Sequence, residues 1–235
     1  MLELVMGILY FLLYLSPLGV IMFTVRKYTK VPDELFRKIL HLIFLGAYVP
    51  LLFGFKTWWL CIVLVVGLIV LLYPVLKLAS KFPEFSAFVN ERKSGEFTNS
   101  MIFALGVMAV SITVGWGIFG DKYIVLACVY CWGIGDAFAA LVGKRWGKHK
   151  INWKFVDNKK SYEGSAAMFI TSFIAVFIIL LIRGGISPVL CAVIAAIASL
   201  ASAFVELCSK GGLDTIFCPA VSMAIIMPLV NILGG

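Results

Sequence analysis

Eight apolar segments, most of them about twenty residues long, constrain this chain more than any other feature of its sequence. A helix of about twenty apolar residues is long enough to cross the hydrocarbon core of a bilayer. The chain is 62% hydrophobic, well above the roughly 45–50% of soluble domains. The sequence therefore predicts an all-α, polytopic membrane helix bundle of about eight transmembrane helices (seven to nine), forming one domain over residues 1–235. We place the segments at 2–25, 38–55, 57–76, 99–119, 122–142, 164–182, 187–207 and 215–233.

The basic residues are distributed unevenly among the connections between these segments. All of the 20 Lys and Arg residues except Lys56, Lys122 and Arg183 fall at the first, third, fifth and seventh connections. Connections rich in Lys and Arg stay in the cytosol, so we expect these four to face the cytosol and both termini to face outward. The four groups are Arg26, Lys27, Lys30, Arg37 and Lys38; Lys77, Lys81, Arg92 and Lys93; Lys144, Arg145, Lys148, Lys150, Lys154, Lys159 and Lys160; and Lys210.

The same distribution bears on the partners of the protein. Basic residues spread along a membrane surface, without a recognition module, do not indicate a nucleic-acid-binding protein. Attraction to anionic membrane lipids accounts for part of the bias. We therefore expect membrane lipids, and no nucleic acid, among the partners.

The longest hydrophilic connection, residues 143–163, is predicted to form a cytosolic basic loop. Its lysines can neutralise phosphate groups, and the start of the helix that follows offers backbone N–H groups that suit a phosphate. The chain has no GxxxxGK[ST] loop and no GxGxxGxV loop, so a nucleotide would be held by another device. The nucleotide-binding candidates here are Lys144, Lys148, Lys160, Glu163, Gly164 and Ser165.

Asp136 lies near the end of the fifth apolar segment, where a carboxylate is costly. Insertion scales put that cost at roughly 2.5–3.5 kcal/mol at the centre of a membrane helix. Helical periodicity places Ala139, Ala140 and Gly143 on the same face. Close helix packing explains those small residues, but it does not explain the aspartate. We interpret Asp136 as a functional residue that a cation or metal compensates.

Two more acids are expected at the same membrane face. Glu206 lies near the end of the seventh segment, and Asp214 lies in the connection that follows. Oxygen ligands without a His/Cys cluster suit Mg²⁺ better than zinc. The sequence therefore predicts Asp136, Glu206 and Asp214 as metal ligands.

The second apolar segment carries a further polar face. Arg37, Lys38 and His41 are spaced by three and four residues, so they share one face of a helix. Snorkelling toward lipid headgroups is the alternative for the two basic residues, and a hydrogen-bonded structural role is the alternative for His41. Glu96 and Asn99 lead into the fourth segment, either as site residues or as part of a helix N-terminal cap.

Three blocks of this sequence resemble the membrane polyprenol kinase family. They are GDAFAALVGKRWGKHK beginning at Gly135, KKSYEGSAA beginning at Lys159, and VELCSKGGLD beginning at Val205, with Pro219 following. The arginine, lysine and histidine of the second segment are similar to the family's early motif. The family includes dolichol kinase, phytol and farnesol kinases and CTP-dependent diacylglycerol kinase, and it is distantly related to the phosphatidate cytidylyltransferases.

The resemblance implies one transmembrane catalytic domain, a lipid-alcohol kinase that transfers the γ-phosphate of CTP. The acceptor would be a membrane isoprenoid alcohol (polyprenol-, dolichol- or phytol-like) or diacylglycerol, and Mg²⁺ the cofactor. Asp136 or His41 would accept the alcohol's proton, with Arg37 and Lys38 closing on the phosphates. The expected location is multi-pass, with the active site on the cytosolic face, in the plasma membrane of a prokaryote.

Two alternatives are open. A phosphatidate cytidylyltransferase would attack the α-phosphate of CTP, form a CDP-lipid and release pyrophosphate. A transporter also uses intramembrane acids and small residues. Against the transporter, the charged residues gather at one face, and no hydrophilic path leads to the other.

Overall fold

The computed structural model describes residues 2–82, 85, 88–89, 95–153, 156, 160–209 and 213–233. Within these residues eight helical spans are long and apolar enough to cross a membrane, one for each predicted segment. The predicted all-α membrane bundle is therefore confirmed. The helices are α1 (Leu2–Tyr28), α2 (Asp33–Gly46), α3 (Tyr48–Gly54), α4 (Trp58–Ala79), α5 (Glu96–Ile112), α6 (Lys122–Trp146), α7 (Tyr162–Arg183), α8 (Pro188–Cys208) and α9 (Asp214–Leu233), with a π-helical turn at Thr113–Ile118.

The chain divides into two compact units, Met1–Thr113 and Val114–Gly235. We call them unit 1 and unit 2 and describe each by itself. The prediction of one domain over residues 1–235 stays a prediction. Some of the basic residues assigned above to the cytosolic connections lie outside the described residues. They are Arg92, Lys93, Lys154, Lys159 and Lys210.

In unit 1 the second span begins earlier than predicted. Helix α2 starts at Asp33, directly after Pro32, and carries Asp33 and Glu34 in its first turn. Acidic residues are favourable there because the N-terminal end of a helix is partially positive. Arg37 and Lys38 therefore belong to the helix and not to the connection before it.

The second span is also interrupted. Helix α2 ends at Gly46, Ala47 lies between the two helices, and α3 continues to Gly54. Pro50 explains the break, because proline has no N–H and cannot donate to the carbonyl four residues earlier. The prediction of an unbroken helix over 38–55 was wrong in this detail.

The core of unit 1 forms around this break. Tyr48 and Leu51 are buried, as is Phe55 at the end of α3. The Tyr48 hydroxyl lies 3.3 Å from the Ser111 hydroxyl on α5. Glu3, in the first turn of α1, accepts hydrogen bonds from the backbone N–H groups that precede α4. These contacts fix the ends of the helices of unit 1 against one another.

In unit 2 helix α6 is the central element. It packs against α7, α8 and α9. Of its most apolar 18-residue stretch 61% is buried, against 28–39% for the other three helices. Such a helix exposes little of its apolar stretch to lipid. Asp136 lies on this helix.

The two ends of unit 2 differ in their charges. At one end Asp121 caps α6, accepting from the N–H groups of Tyr123 and Ile124 at 2.8 and 3.1 Å, and it pairs with Arg183 at the end of α7. Helices α6 and α7 are therefore antiparallel. The opposite end holds the connection between them, residues 147–161, and we call its described residues the basic hairpin.

Candidate functional site

The basic hairpin is attached to the end of α8. Ile151 and Val156 of the hairpin form a buried apolar cluster with Leu207. Backbone hydrogen bonds close the hairpin, from Ile151 N to Lys160 O at 3.1 Å and from Tyr162 N to His149 O at 3.1 Å. Lys160 is thereby held beside the carboxyl end of α8.

Lys160 makes three contacts there. Its ammonium lies 2.9 Å from the Glu206 carboxylate, and the two side chains are only 20% and 13% exposed. The same nitrogen donates to the backbone carbonyls of Glu206 and, at 3.1 Å, of Ser209. A lysine that binds the last carbonyls of a helix satisfies acceptors that have no partner within that helix. Lys160 therefore caps α8 as well as neutralising Glu206.

Two further carboxylates lie near this pair. Asp136 on α6 and Asp214 at the start of α9 are close enough to Glu206 for their negative charges to act on it. The same four charged groups act on the buried thiol of Cys218, one turn into α9. We call Asp136, Lys160, Glu206 and Asp214 the Lys160 cluster. The structure thus brings together the three acids predicted as metal ligands and one of the predicted phosphate-binding lysines.

The donor set of this cluster fits Mg²⁺ in one particular way. Within the described residues no group of three or more His, Cys, Asp or Glu side chains is arranged so that it could hold a metal ion. Mg²⁺ commonly takes one or two protein carboxylates and completes its shell with water and substrate phosphates. A magnesium site here would therefore use one or two of the three acids and not all three.

Helices α6 and α7 approach closely where they meet the hairpin. A Cβ atom at Gly164 would lie 2.9 Å from the Ala139 carbonyl oxygen and 3.3 Å from Gly143 Cα. Ser161, buried between the two helices, caps α7 by accepting from Gly164 N at 3.2 Å. Gly147 ends α6 instead of extending its small-residue face. The small residues therefore serve packing, and this packing sets where the hairpin leaves α6.

Glu163 faces the hairpin. Its carboxylate accepts from the N–H groups of Lys148 at 3.3 Å and His149 at 3.1 Å, and it lies 2.7 Å from His149 Nδ1. The predicted phosphate site at the start of α7 is already occupied by the protein itself, because the N–H groups of Tyr162, Gly164 and Ser165 all donate to nearby protein acceptors. Lys144 and Lys148 are exposed at this end, and Ser165 is half-buried.

The other candidates belong to unit 1. Arg37, Lys38 and His41 are half-buried on α2, and Arg37 lies 3.9 Å from Glu34. Glu96 is in the first turn of α5, whose N-cap, Gly95, makes no side-chain capping bond. Asn99 is exposed. The expectation that Arg37 and Lys38 close on the phosphates stays a prediction.

Sequence reasoning overlooked three residues of this region. His149 is one of only two histidines and lies in the basic loop, a signal that was available. Ser161 precedes a helix, which is where serine caps. No sequence signal pointed to Cys218, because its position near the four charged groups depends on how α9 packs.

Together the fold and this site define an integral membrane protein with a cluster of charged residues at one end of unit 2. The chain is 30% identical over 175 residues to the phytol kinase of the cyanobacterium Synechocystis, covering 73% of this chain and 69% of that protein. It is 33% identical over 84 residues to a chloroplastic protein of Triticum aestivum named as a probable phytol kinase, covering 36% of this chain and 26% of that protein. No family model matches the chain, and no solved structure matches it.

The chain belongs to the membrane polyprenol kinase family, to which the phytol kinases also belong. The family expected from the three sequence blocks is thereby confirmed.

Proposed function

We propose that this protein is a lipid-alcohol kinase that transfers the γ-phosphate of CTP to the hydroxyl group of a membrane isoprenoid alcohol of the phytol type. The observation that carries the proposal is the Lys160 cluster, in which acids from α6, α8 and α9 meet the basic hairpin at one end of unit 2. The names of the relatives support the alcohol acceptor. The choice of CTP follows the resemblance of the sequence blocks.

Phosphoryl transfer mainly requires positioning and neutralisation of charge. Asp136 and Asp214 are the residues that would hold Mg²⁺, which would supply neutralisation of the phosphate oxygens when bound. Lys144 and Lys148, which are exposed at the hairpin end of unit 2, would bind the triphosphate. Lys160 keeps Glu206 and the end of α8 in place. Asp136 would accept the proton of the alcohol, and the alternative role of His41 stays a prediction from the sequence.

The experiment that tests the reaction uses CTP labelled at either the α- or the γ-phosphate. Purified protein in detergent with Mg²⁺ would be incubated with phytol, longer prenols or diacylglycerol. We expect the γ label, and not the α label, in the lipid product, and no activity after chelation of divalent ions until Mg²⁺ is restored. Transfer of the α label with release of pyrophosphate would instead identify a cytidylyltransferase.

The role of Asp136 can be tested in the same assay. We expect Asp136→Asn to lower kcat by at least about a hundredfold, because the amide neither holds a divalent ion nor accepts the proton as a carboxylate does. Asp33→Asn is the matched control, since Asp33 is exposed at the start of α2, and should retain activity within about twofold. A fully active, correctly folded Asp136→Asn variant would remove this residue from the mechanism.

A further inference from the structure

The Glu163 carboxylate binds the backbone of the hairpin at Lys148 and His149. Its Oε1 atom accepts from Lys148 N, His149 N and the imidazole of His149, and Oε2 also accepts from His149 N at 3.3 Å. The Glu163 side chain is 26% exposed, whereas that of His149 is 78% exposed. Both carboxylate oxygens are thus committed to the chain segment that carries Lys148.

The same segment is fixed from its other side. Tyr162 N donates to the His149 carbonyl at 3.1 Å, and Lys148 N also lies 2.9 Å from the Trp146 carbonyl. The backbone of Lys148 and His149 is therefore defined by the start of α7, while the side chain of Lys148 stays exposed. A lysine has a flexible stem, so a fixed backbone is what limits where its ammonium can reach.

A direct ligand role for Glu163 fits these contacts poorly. A carboxylate facing a triphosphate would repel it unless a metal lay between them, and the oxygens that would bind the metal already accept hydrogen bonds. A role in helix stability alone would account for an acid in the first turn of α7. It would not account for bonds to two successive N–H groups and an imidazole of the hairpin.

We propose that Glu163 is a positioning residue, which sets Lys148 for the phosphates of the nucleotide without contacting the nucleotide itself. This inference rests on the function proposed above, in which Lys148 binds the triphosphate. It replaces the predicted role of Glu163 as a nucleotide ligand.

A double-mutant cycle tests this inference. The dissociation constant for CTP with Mg²⁺ and the kcat and KM of the kinase reaction would be measured for wild type, Glu163→Ala, Glu163→Gln, Lys148→Ala and the double variant Glu163→Ala/Lys148→Ala. We expect Glu163→Ala to weaken CTP binding and raise its KM about tenfold, with kcat changed less than twofold. Glu163→Gln should restore most of this affinity, because its amide oxygen still accepts from the two N–H groups.

The decisive comparison is the double variant. If Glu163 acts through Lys148, the double variant binds CTP no more weakly than Lys148→Ala alone. Asn152→Ala, exposed on the same hairpin, is the control and should behave as wild type.

Two results would overturn the inference. One is a double variant whose loss of CTP affinity equals the product of the losses in the two single variants. The other is a Glu163→Ala variant with unchanged CTP affinity and lowered thermal stability. Absence of γ-phosphate transfer by wild type that still binds CTP would overturn only the proposed function. Failure of wild type to bind CTP would overturn both.

Discussion

At the scale of single residues, the charged side chains of unit 2 divide into those committed to the protein and those available to a ligand. The Lys160 ammonium binds the Glu206 carboxylate and a carbonyl group at the end of α8. The Glu163 carboxylate accepts hydrogen bonds from the hairpin. Lys144 and Lys148 are exposed. Position in the tertiary structure thus separates lysines that bind other parts of the protein from lysines whose side chains are exposed.

The Lys160–Glu206 pair gives a prediction about stability. Removing one member of a mostly buried pair leaves a carboxylate and two carbonyl groups without their cation, so we expect Lys160→Ala to destabilise the protein by about 2–3 kcal/mol. The midpoint of thermal unfolding in detergent, followed by circular dichroism, would fall by several degrees. Lys144→Ala, which removes an exposed lysine, should leave the midpoint unchanged. Equal midpoints for both variants would contradict the assignment of Lys160 to a supporting role.

At the scale of secondary-structure elements, the contact between α6 and α7 determines where the hairpin begins. The helices come together at Ala139, Gly143 and Gly164, and Ser161 fills the space beside them. In membranes, small residues let helix backbones approach closely. Because Asp136 lies two turns before Gly143 and Glu163 directly precedes Gly164, the same contact sets the distance between the carboxylate of α6 and the start of α7.

This contact can be tested with a single methyl group. Gly164→Ala would place a Cβ atom 2.9 Å from a backbone carbonyl, and we expect a loss of stability of about 1–3 kcal/mol together with reduced activity. Gly106→Ala, in α5, is the matched control because, apart from the adjacent helix backbone, no atom of the described residues lies within 4 Å of the added carbon. It should be neutral or slightly stabilising, since alanine favours helix. Thermal unfolding of both variants in the same detergent measures the two changes in stability.

At the scale of the whole molecule, the predicted topology places the basic connections on the cytosolic side. Within unit 2 the described basic residues follow this pattern, with Lys144, Arg145, Lys148, Lys150 and Lys160 toward the hairpin end and Lys122 and Arg183 toward the other. The hairpin end also carries Cys208, the exposed member of six free cysteines whose other five are buried. A native thiol can therefore report which side of the membrane this end faces.

The orientation is tested by labelling with a membrane-impermeant maleimide. We expect Cys208 to react in inside-out vesicles and not in intact cells, because positive connections are retained in the cytosol. A Cys208→Ser variant carrying Ser187→Cys, an exposed position at the opposite end of unit 2, should show the reverse pattern. Labelling of Cys208 in intact cells would invert the predicted topology.

The sequence by itself determined the features that depend on local composition. It predicted the eight spans, the family and the residue types of the candidate site, because hydropathy and motifs depend on residues that are neighbours in the chain. It did not predict the break at Ala47, although Pro50 was a visible local signal.

Only the tertiary structure decided which charged residues act together. Lys160 and Glu206 are 46 residues apart, and Glu163, in the first turn of α7, accepts a hydrogen bond from the backbone of His149 in the hairpin. Pairings of this kind depend on how helices pack and where a connection folds back, which no local pattern records. The sequence placed a lysine and three acids at one end of the bundle, and the packing of α6, α8 and α9 assigned the lysine to one of those acids.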